Sequence, residues 1–271
     1  MRINQNIAAF NSYRNLSATN TQLGKSLEKL SSGFRINRAA DDAAGLAKSE
    51  SLRAEINGSR QAIRNAQDGV SLVQTAEGAL NEVHSILQRM RELAVDAANT
   101  ATTDGVAQQA EIDELISEIA AIGNNSTFAG QKVFQDYGTT SLTFHVGSGA
   151  GQTLTISDDL VLSSGDVFGV NLASVNVDSA ANAAITTVDS AIAAVSSTRA
   201  TLGATQNRLE HTVANLSVAV ENLSASESRV RDTDMAEEMV SFTRHQIMVQ
   251  AGTAMLAQAN QVPSTVLALL Q

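Results

Sequence analysis

Several residue types are absent or scarce in this sequence. Cysteine and tryptophan do not occur, Pro263 is the only proline, and only nine residues are aromatic. Without cysteine the chain forms no disulfide, uses no thiol nucleophile and holds no cysteine-ligated metal. No run approaches the ~18–20 consecutive apolar residues of a membrane span. The net charge of −10 argues against nucleic-acid binding, which needs a clustered positive surface.

What the sequence has in abundance is alanine. Apolar residues make up 43% of the chain, and 42 residues are alanine. Alanine has the highest helix propensity, whereas proline costs about 3 kcal/mol inside a helix. We therefore expect long packed helices, the last of which ends near Pro263. The polar N-terminus lacks the apolar core of a cleaved secretory signal, so any export is expected to use another route.

Two long segments carry apolar residues at steps of three, four or seven, which is typical of a coiled coil. The first stripe consists of Ile56, Ile63, Ala66, Val70, Val73, Ala76, Leu80, Val83, Leu87, Met90 and Ala94. The second consists of Val188, Ile192, Val195, Leu202, Leu209, Val213, Leu216, Val220, Leu223 and Val230. A helix over residues 43–100 would be roughly 87 Å long. We expect a rod in which the two stripes pack together, with a shorter helix around Ile112–Ile122 folded back on the first.

The two ends of the chain carry further amphipathic stripes. The N-terminal one consists of Ile3, Ile7, Phe10, Leu16, Leu23, Leu27 and Leu30. The C-terminal one consists of Met235, Met239, Phe242, Val249 and Leu256. These helices can at most cover each other, and ordering ~30 residues costs ~30–60 kcal/mol of backbone entropy. We predict that both ends are disordered or weakly helical in the monomer and become ordered only against other copies of the chain.

The segment 123–178 differs from both ends, because it holds eight of the 17 glycines and five of the nine aromatics. Leu142, Phe144 and Val146 alternate with polar residues, and Leu154 and Ile156 do so after a glycine-rich stretch. This pattern predicts a small β-hairpin.

The sequence contains no enzyme motif, and we expect no catalytic activity, cofactor or metal. The four histidines are scattered, and none has a second histidine at the spacing of a metal site on one helix. Asp41 and Asp42 precede Ala43 and are interpreted as capping the long helix. Arg89, Arg91 and Glu92 form either a solvated charged face, which their spacing favours, or an interaction surface.

Four long motifs in order make the sequence recognisable. They are LSSGFRINRAADDAAGL at 30–46, NAQDG through QTAEGAL at 65–80, QRMRELAV at 88–95 and QANQVP at 258–263. Together they closely resemble bacterial flagellin over about the first 135 and last 90 residues. The resemblance implies a structural subunit of the flagellar filament, exported unfolded through the flagellar type III apparatus.

The resemblance also implies a division of the chain. Its parts would be an inner-core helix and spoke at 1–42, rod helices at 43–130, a hairpin and reduced variable region at 131–178, a rod helix at 179–230 and an inner-core helix at 231–271. Many flagellins have a large outer domain where this chain has about fifty residues, so we expect a thin, smooth filament.

Three groups of residues take roles by the same resemblance. Inner-core self-assembly would involve Ile3, Ile7, Phe10, Leu23, Leu27, Leu30, Met239, Phe242, Val249 and Leu256. The spoke would contain Arg35, Asn37, Arg38, Asp41 and Asp42. The surface recognised by a vertebrate Toll-like receptor would include Arg89, Leu93 and Glu111, with Met90 in place of the usual valine.

Further implied partners are the flagellar cap and hook-associated proteins, and an export chaperone at the C-terminal segment. Neither nucleic acid nor membrane is an expected partner.

Three alternatives remain at this stage. A hook–filament junction protein shares the helical ends but forms a short ring, and the full 37–46 motif with the Val262-Pro263 ending favours the filament subunit. A flagellin carrying a peptidase would need a His-Glu-x-x-His motif, which the sequence lacks. A secreted coiled-coil adhesin would be a well-ordered dimer that gains no helix on assembly.

Overall fold

The structure is a computed structural model that describes residues 5–99, 105–134, 142–156, 162–163 and 166–268. Its α-helices within these residues are α1 (Ile7–Ser32), α2 (Ala43–Ala97), α3 (Val106–Asn125), α4 (Val177–Arg231) and α5 (Met235–Ala268). The short strands and a 3-10 turn (Leu172–Ser174) lie between α3 and α4. The mainly α fold with a small central β region, predicted from the sequence, is confirmed.

The chain forms two compact units. Met1–Ala54 and Asn222–Gln271 make the first unit, and Glu55–Glu221 makes the second. The first unit therefore combines two segments from opposite ends of the sequence, whereas the second is one continuous segment.

The core of the second unit lies between α2, α3 and α4. Leu80, Leu87 and Met90 of α2 are fully buried, as are Ile112 of α3 and Leu202 of α4. Arg89 of α2 pairs with Glu111 of α3, and Gln108 of α3 donates to Asp96 further along α2, so α3 runs back along α2 as predicted. Most of the first predicted stripe is buried, because its positions share one side of α2.

The predicted hairpin packs on α2 in the second unit. It consists of β3 (Leu142–His145) and β4 (Thr153–Ile156), which pair antiparallel with Phe144 opposite Leu154. On α2, a Cβ added to Gly69 would lie 3.4 Å from the Phe144 ring and 3.2 Å from Leu209 Cδ1. Glycine at this position allows the hairpin and α4 to approach α2 closely.

The β region is larger than the single predicted hairpin. β1 (Thr127–Phe128) pairs with β2 (Gln131–Lys132), and β5 (Leu162–Ser163), β6 (Asp166–Val167) and β7 (Val170–Asn171) form a second small sheet. Gly123 of α3 lies against the Leu162 carbonyl, where a Cβ would be 2.5 Å from the oxygen. These strands have only two residues each, too short for an alternating pattern.

The ends of the helices in the first unit follow local capping rules. The Asn6 side chain accepts a hydrogen bond from the Ala9 N–H at the start of α1, and Gly33 ends that helix in the left-handed region at φ 76°. The Asp234 side chain accepts hydrogen bonds from the Ala236 and Glu237 N–H groups at the start of α5. The expectation that Pro263 ends the last helix is wrong, since α5 continues to Ala268.

Candidate functional site

The first unit brings the two ends of the chain together. Helices α1 and α5 pack antiparallel: the Asn6 side-chain amide donates to the Ala259 carbonyl at 2.8 Å, and Lys29 Nζ lies 3.5 Å from Glu238 Oε2. Between these contacts, a Cβ added to Gly252 would lie 3.1 Å from Leu16 Cδ1. The two terminal stripes therefore cover each other in part.

This packing divides the predicted self-assembly residues into two groups. Leu23, Leu30, Phe242, Val249 and Leu256 are partly buried within the unit. The exposed group consists of Ile7, Phe10, Leu27 and Met239. Ile3 lies outside the described residues.

Helix α5 carries more exposed apolar surface than its predicted stripe. Val240, Ile247, Met248 and Met255 are exposed, and so is Tyr13 of α1. An open groove along α5 is lined by Met239, Val240, Thr243, Arg244, Ile247 and Met248. The apolar side chains of α5 point in all directions, an arrangement typical of a helix that is surrounded by other elements. A count of apolar residues on every side of α5, rather than on one stripe, would have predicted this.

The segment between α1 and α2 is joined to the end of α4 by a short hydrogen-bonded connection. The Arg35 N–H donates to the Arg231 carbonyl at 2.7 Å, and the Arg35 guanidinium donates to the Val230 carbonyl at 2.7 Å. The Thr233 N–H donates to the Gly33 carbonyl at 3.0 Å. Arg231 in turn lies over the Phe34 ring at 4.8 Å from its centroid. These contacts therefore hold the segment that follows α1 against the end of α4.

The other motif residues hold the turn that enters α2. Asp42 caps this helix by accepting a hydrogen bond from the Gly45 N–H at 2.9 Å, as predicted. The Asp41 carboxylate instead accepts hydrogen bonds from the backbone N–H groups of Arg38 and Asn37, so it holds the turn before α2 and does not cap the helix as predicted.

Hydrogen bonds and nearby charges favour the ionised form of Asp41 in this turn. The backbone hydrogen bond from Arg38 lowers the pKa of Asp41, and partial desolvation opposes this effect. The backbone hydrogen bond from Asn37 and the charges of Lys25 and Lys29 lower the pKa further. Arg38 Nε donates to Glu28 Oε1 at 2.9 Å, which joins the turn to α1. Arg35 therefore joins this segment to α4, whereas the other four motif residues hold the turn that enters α2. The spacing of the five residues alone gives no indication of these partners.

The predicted receptor-recognition residues lie in the second unit. Arg89 Nε donates to Glu111 Oε1 at 2.8 Å, and this hydrogen bond raises the pKa of Arg89. Arg89 also contacts Glu92 at 3.3 Å. Leu93, expected to offer an apolar anchor, is only 7% exposed and packs in the core. The polar pair is at the surface, whereas most of the Leu93 side chain is covered.

Two further observations concern metal binding and membrane crossing. Among residues 5–99, 105–134, 142–156, 162–163 and 166–268, no group of three or more His, Asp or Glu side chains is arranged to hold a metal ion. In the same ranges, no helix has the length and apolar character needed to cross a membrane.

Comparisons with known proteins agree with the motifs. Residues 3–139 match the family model described as the bacterial flagellin N-terminal helical region, and residues 185–270 match the bacterial flagellin C-terminal helical region. The chain is 50% identical to a flagellin of Halalkalibacterium halodurans and 49% identical to a flagellin of Bacillus subtilis, in each case over the full length of both chains. It is 44% identical to a flagellar filament 33 kDa core protein of Treponema phagedenis, again over the full length of both.

Proposed function

This chain belongs to the bacterial flagellin family, and we infer that it is a structural subunit that polymerises into the flagellar filament. The observation that carries this function is the exposed apolar surface of α1 and α5. Each helix covers one side of the other, and large apolar side chains of both remain in solvent. Burying such side chains against further copies supplies about 1.5–3 kcal/mol for each one that becomes fully covered.

The test uses a matched pair of valines. Val240 of α5 is 60% exposed and Val218 of α4 is 58% exposed. We expect Val240→Ser to raise the critical concentration for seeded polymerisation, measured by sedimentation and electron microscopy, and Val218→Ser to change it little. Equal effects of the two substitutions, or short rings in place of long tubes from the unchanged protein, would contradict the proposal. Rings would instead favour a hook–filament junction protein.

We also propose finer roles for the segments of the chain. In the assembled filament, 1–32 and 233–271 would form the inner layers, 33–42 the spoke, and 43–230 the outer rod with its hairpin. The short middle of the chain supports a thin filament, and a bulky outer domain in filament density would refute it. The subunit would act outside the cell, after export in an unfolded state, without catalytic activity and without cofactor.

The partners that we propose follow from family membership. The flagellar cap and hook-associated proteins would meet the ends of the filament, and an export chaperone would bind the C-terminal segment. The exposed apolar residues of α5 support the chaperone proposal, because an unassembled subunit needs them covered. Co-purification of the chaperone with full-length protein, but not with protein lacking residues 235–271, tests it.

The Arg89–Glu111 pair supports recognition of the depolymerised subunit by a vertebrate Toll-like receptor. Both side chains are about half exposed and offer charged hydrogen-bonding groups. Arg91 is the matched control, because it is similarly exposed but pairs with Asp189 at 2.7 Å. We expect Arg89→Ala to reduce the response of a receptor reporter cell and Arg91→Ala to reduce it less.

A separate variant tests Leu93. Because this side chain is buried, Leu93→Ala is expected to act through the fold around α2 and α3, and should lower thermal stability together with the response. An unchanged response to the double substitution Arg89→Ala plus Leu93→Ala would refute the recognition proposal.

A further inference from the structure

The methionines of this chain are concentrated in α5. Four of the six, Met235, Met239, Met248 and Met255, lie in this helix. They are 48%, 50%, 40% and 62% exposed, whereas Met90 in the core of the second unit is fully buried. These four residues are therefore accessible to solvent in the unassembled subunit.

Their positions coincide with the surface that assembly must cover. Met235 and Met239 are four residues apart and share one side of α5, and Met248 and Met255 are seven apart and share another. The side of α5 that contacts α1 is marked by Phe242, Val249 and Leu256, which are partly buried. Met235 and Met239 lie at the edge of this side and remain exposed, and Met248 and Met255 lie away from it. Met239 and Met248 also line the open groove of α5.

We propose that the four α5 methionines form a site of reversible oxidation that controls whether a subunit can join the filament. The modifying reagent is a peroxide. A sulfur lone pair attacks one peroxide oxygen, an S–O bond forms as the O–O bond breaks, and the sulfur is oxidised by two electrons. With hydrogen peroxide, the released hydroxide takes the proton of the new S–OH group and leaves as water, and the sulfur keeps one oxygen as a sulfoxide. A thiol-dependent methionine sulfoxide reductase reverses the change: two thiols are oxidised to a disulfide, and the sulfoxide oxygen leaves as water.

The consequence for assembly follows from polarity. A sulfoxide is a polar hydrogen-bond acceptor, and the exposed side chains beside these methionines, such as Val240 and Ile247, are apolar. Burying this group against another subunit without a donor is unfavourable. Oxidised subunits therefore fail to add, while methionines already covered inside a filament are protected.

This inference rests on the proposed self-assembly, and the experiment keeps the two claims apart. Unpolymerised full-length protein is treated with hydrogen peroxide, quenched and mapped by peptide mass spectrometry. Oxygen should be gained at Met235, Met239, Met248 and Met255 and not at Met90. The critical concentration for seeded polymerisation should rise by about tenfold or more. Failure of the untreated protein to polymerise would refute the proposed function instead.

Three further measurements complete the test. Reduction of the oxidised protein by the reductase should restore polymerisation, and failure to restore it would overturn the proposal. Preformed filaments should resist oxidation at the four positions, and equal oxidation rates in filament and subunit would overturn it.

The last measurement is a variant pair. The quadruple variant with Met235, Met239, Met248 and Met255 changed to Leu keeps Met1 and Met90, and its polymerisation should be insensitive to peroxide. Met90→Leu should remain as sensitive as the unchanged protein. If the quadruple variant is as sensitive as the unchanged protein, or if Met90→Leu abolishes the sensitivity, the α5 methionines are not the site. If the quadruple variant does not assemble, the reductase experiment decides the question.

Discussion

The guanidinium of Arg231 lies 4.8 Å from the centroid of the Phe34 ring, although 197 positions separate the two residues in the chain. The same guanidinium donates to Glu50 Oε1 at 2.8 Å. The last turn of α4 is thereby joined both to the segment that follows α1 and to α2. The relationship explains how one side chain holds three parts of the first unit in place.

Replacing Arg231 tests this role. Arg231→Ala removes the cation–π contact and the pair with Glu50, and should destabilise the assembled first unit by about 1–2 kcal/mol. The melting temperature of filaments in calorimetry should fall by about 2–8 °C. Arg229→Ala is the control, because Arg229 is exposed and donates to Ser226 of its own helix. Equal losses in the two variants would show that the junction has no special role.

Acid should weaken the turn that enters α2. Backbone hydrogen bonds from Arg38 and Asn37 lower the pKa of Asp41 below its ordinary value of 3.8. A carboxyl whose folded pKa is lowered stabilises the fold above its unfolded pKa, and this contribution is lost as the pH falls through the folded value. Filament melting temperatures should therefore drop below pH 3.8, and Asp41→Asn should show a shallower drop there.

The control for this pH profile is Asp68→Asn, which changes an exposed carboxylate of α2 in the second unit. Its profile should follow that of the unchanged protein. If Asp41→Asn leaves the profile unaltered, the hydrogen bonds of Asp41 do not contribute to stability.

Substituting two glycines of α2 distinguishes the effect of close packing from the effect of helix propensity. Nothing lies within 4 Å of a Cβ added to Gly78, so Gly78→Ala should stabilise the monomer by up to about 1 kcal/mol. At Gly69 the added Cβ would meet Phe144 and Leu209. Gly69→Ala should therefore be about 1–3 kcal/mol less stable than Gly78→Ala in urea unfolding. Equal stabilities would mean that the hairpin does not need glycine here.

The sequence predicted the elements that have a long, regular pattern. The stripe from Ile56 to Ala94 identified α2 and its buried side. An apolar period that continues over many turns fits only a helix with one side in the core. The alternation around Phe144 and Leu154 identified β3 and β4 for the same reason. The capping role of Asp42 followed from its place directly before α2.

Other features had no local signal. The contact between Phe34 and Arg231 joins distant positions, and the two-residue strands have no detectable period. The burial of Leu93, by contrast, is indicated by its position in the sequence. It lies three residues after Met90 and four before Ala97, both of which are buried in α2, and this spacing indicates a core position.

The central claim is that α1 and α5 become stably ordered only when other copies of the chain cover their exposed apolar side chains. Hydrogen exchange of full-length monomer and of filaments, followed by mass spectrometry, tests it most directly. Amides of Ile7–Ser32 and Met235–Ala268 should exchange rapidly in the monomer and slowly in the filament, whereas amides around Leu80–Met90 should be protected in both. Equal protection of α1 and α5 in monomer and filament would contradict the claim.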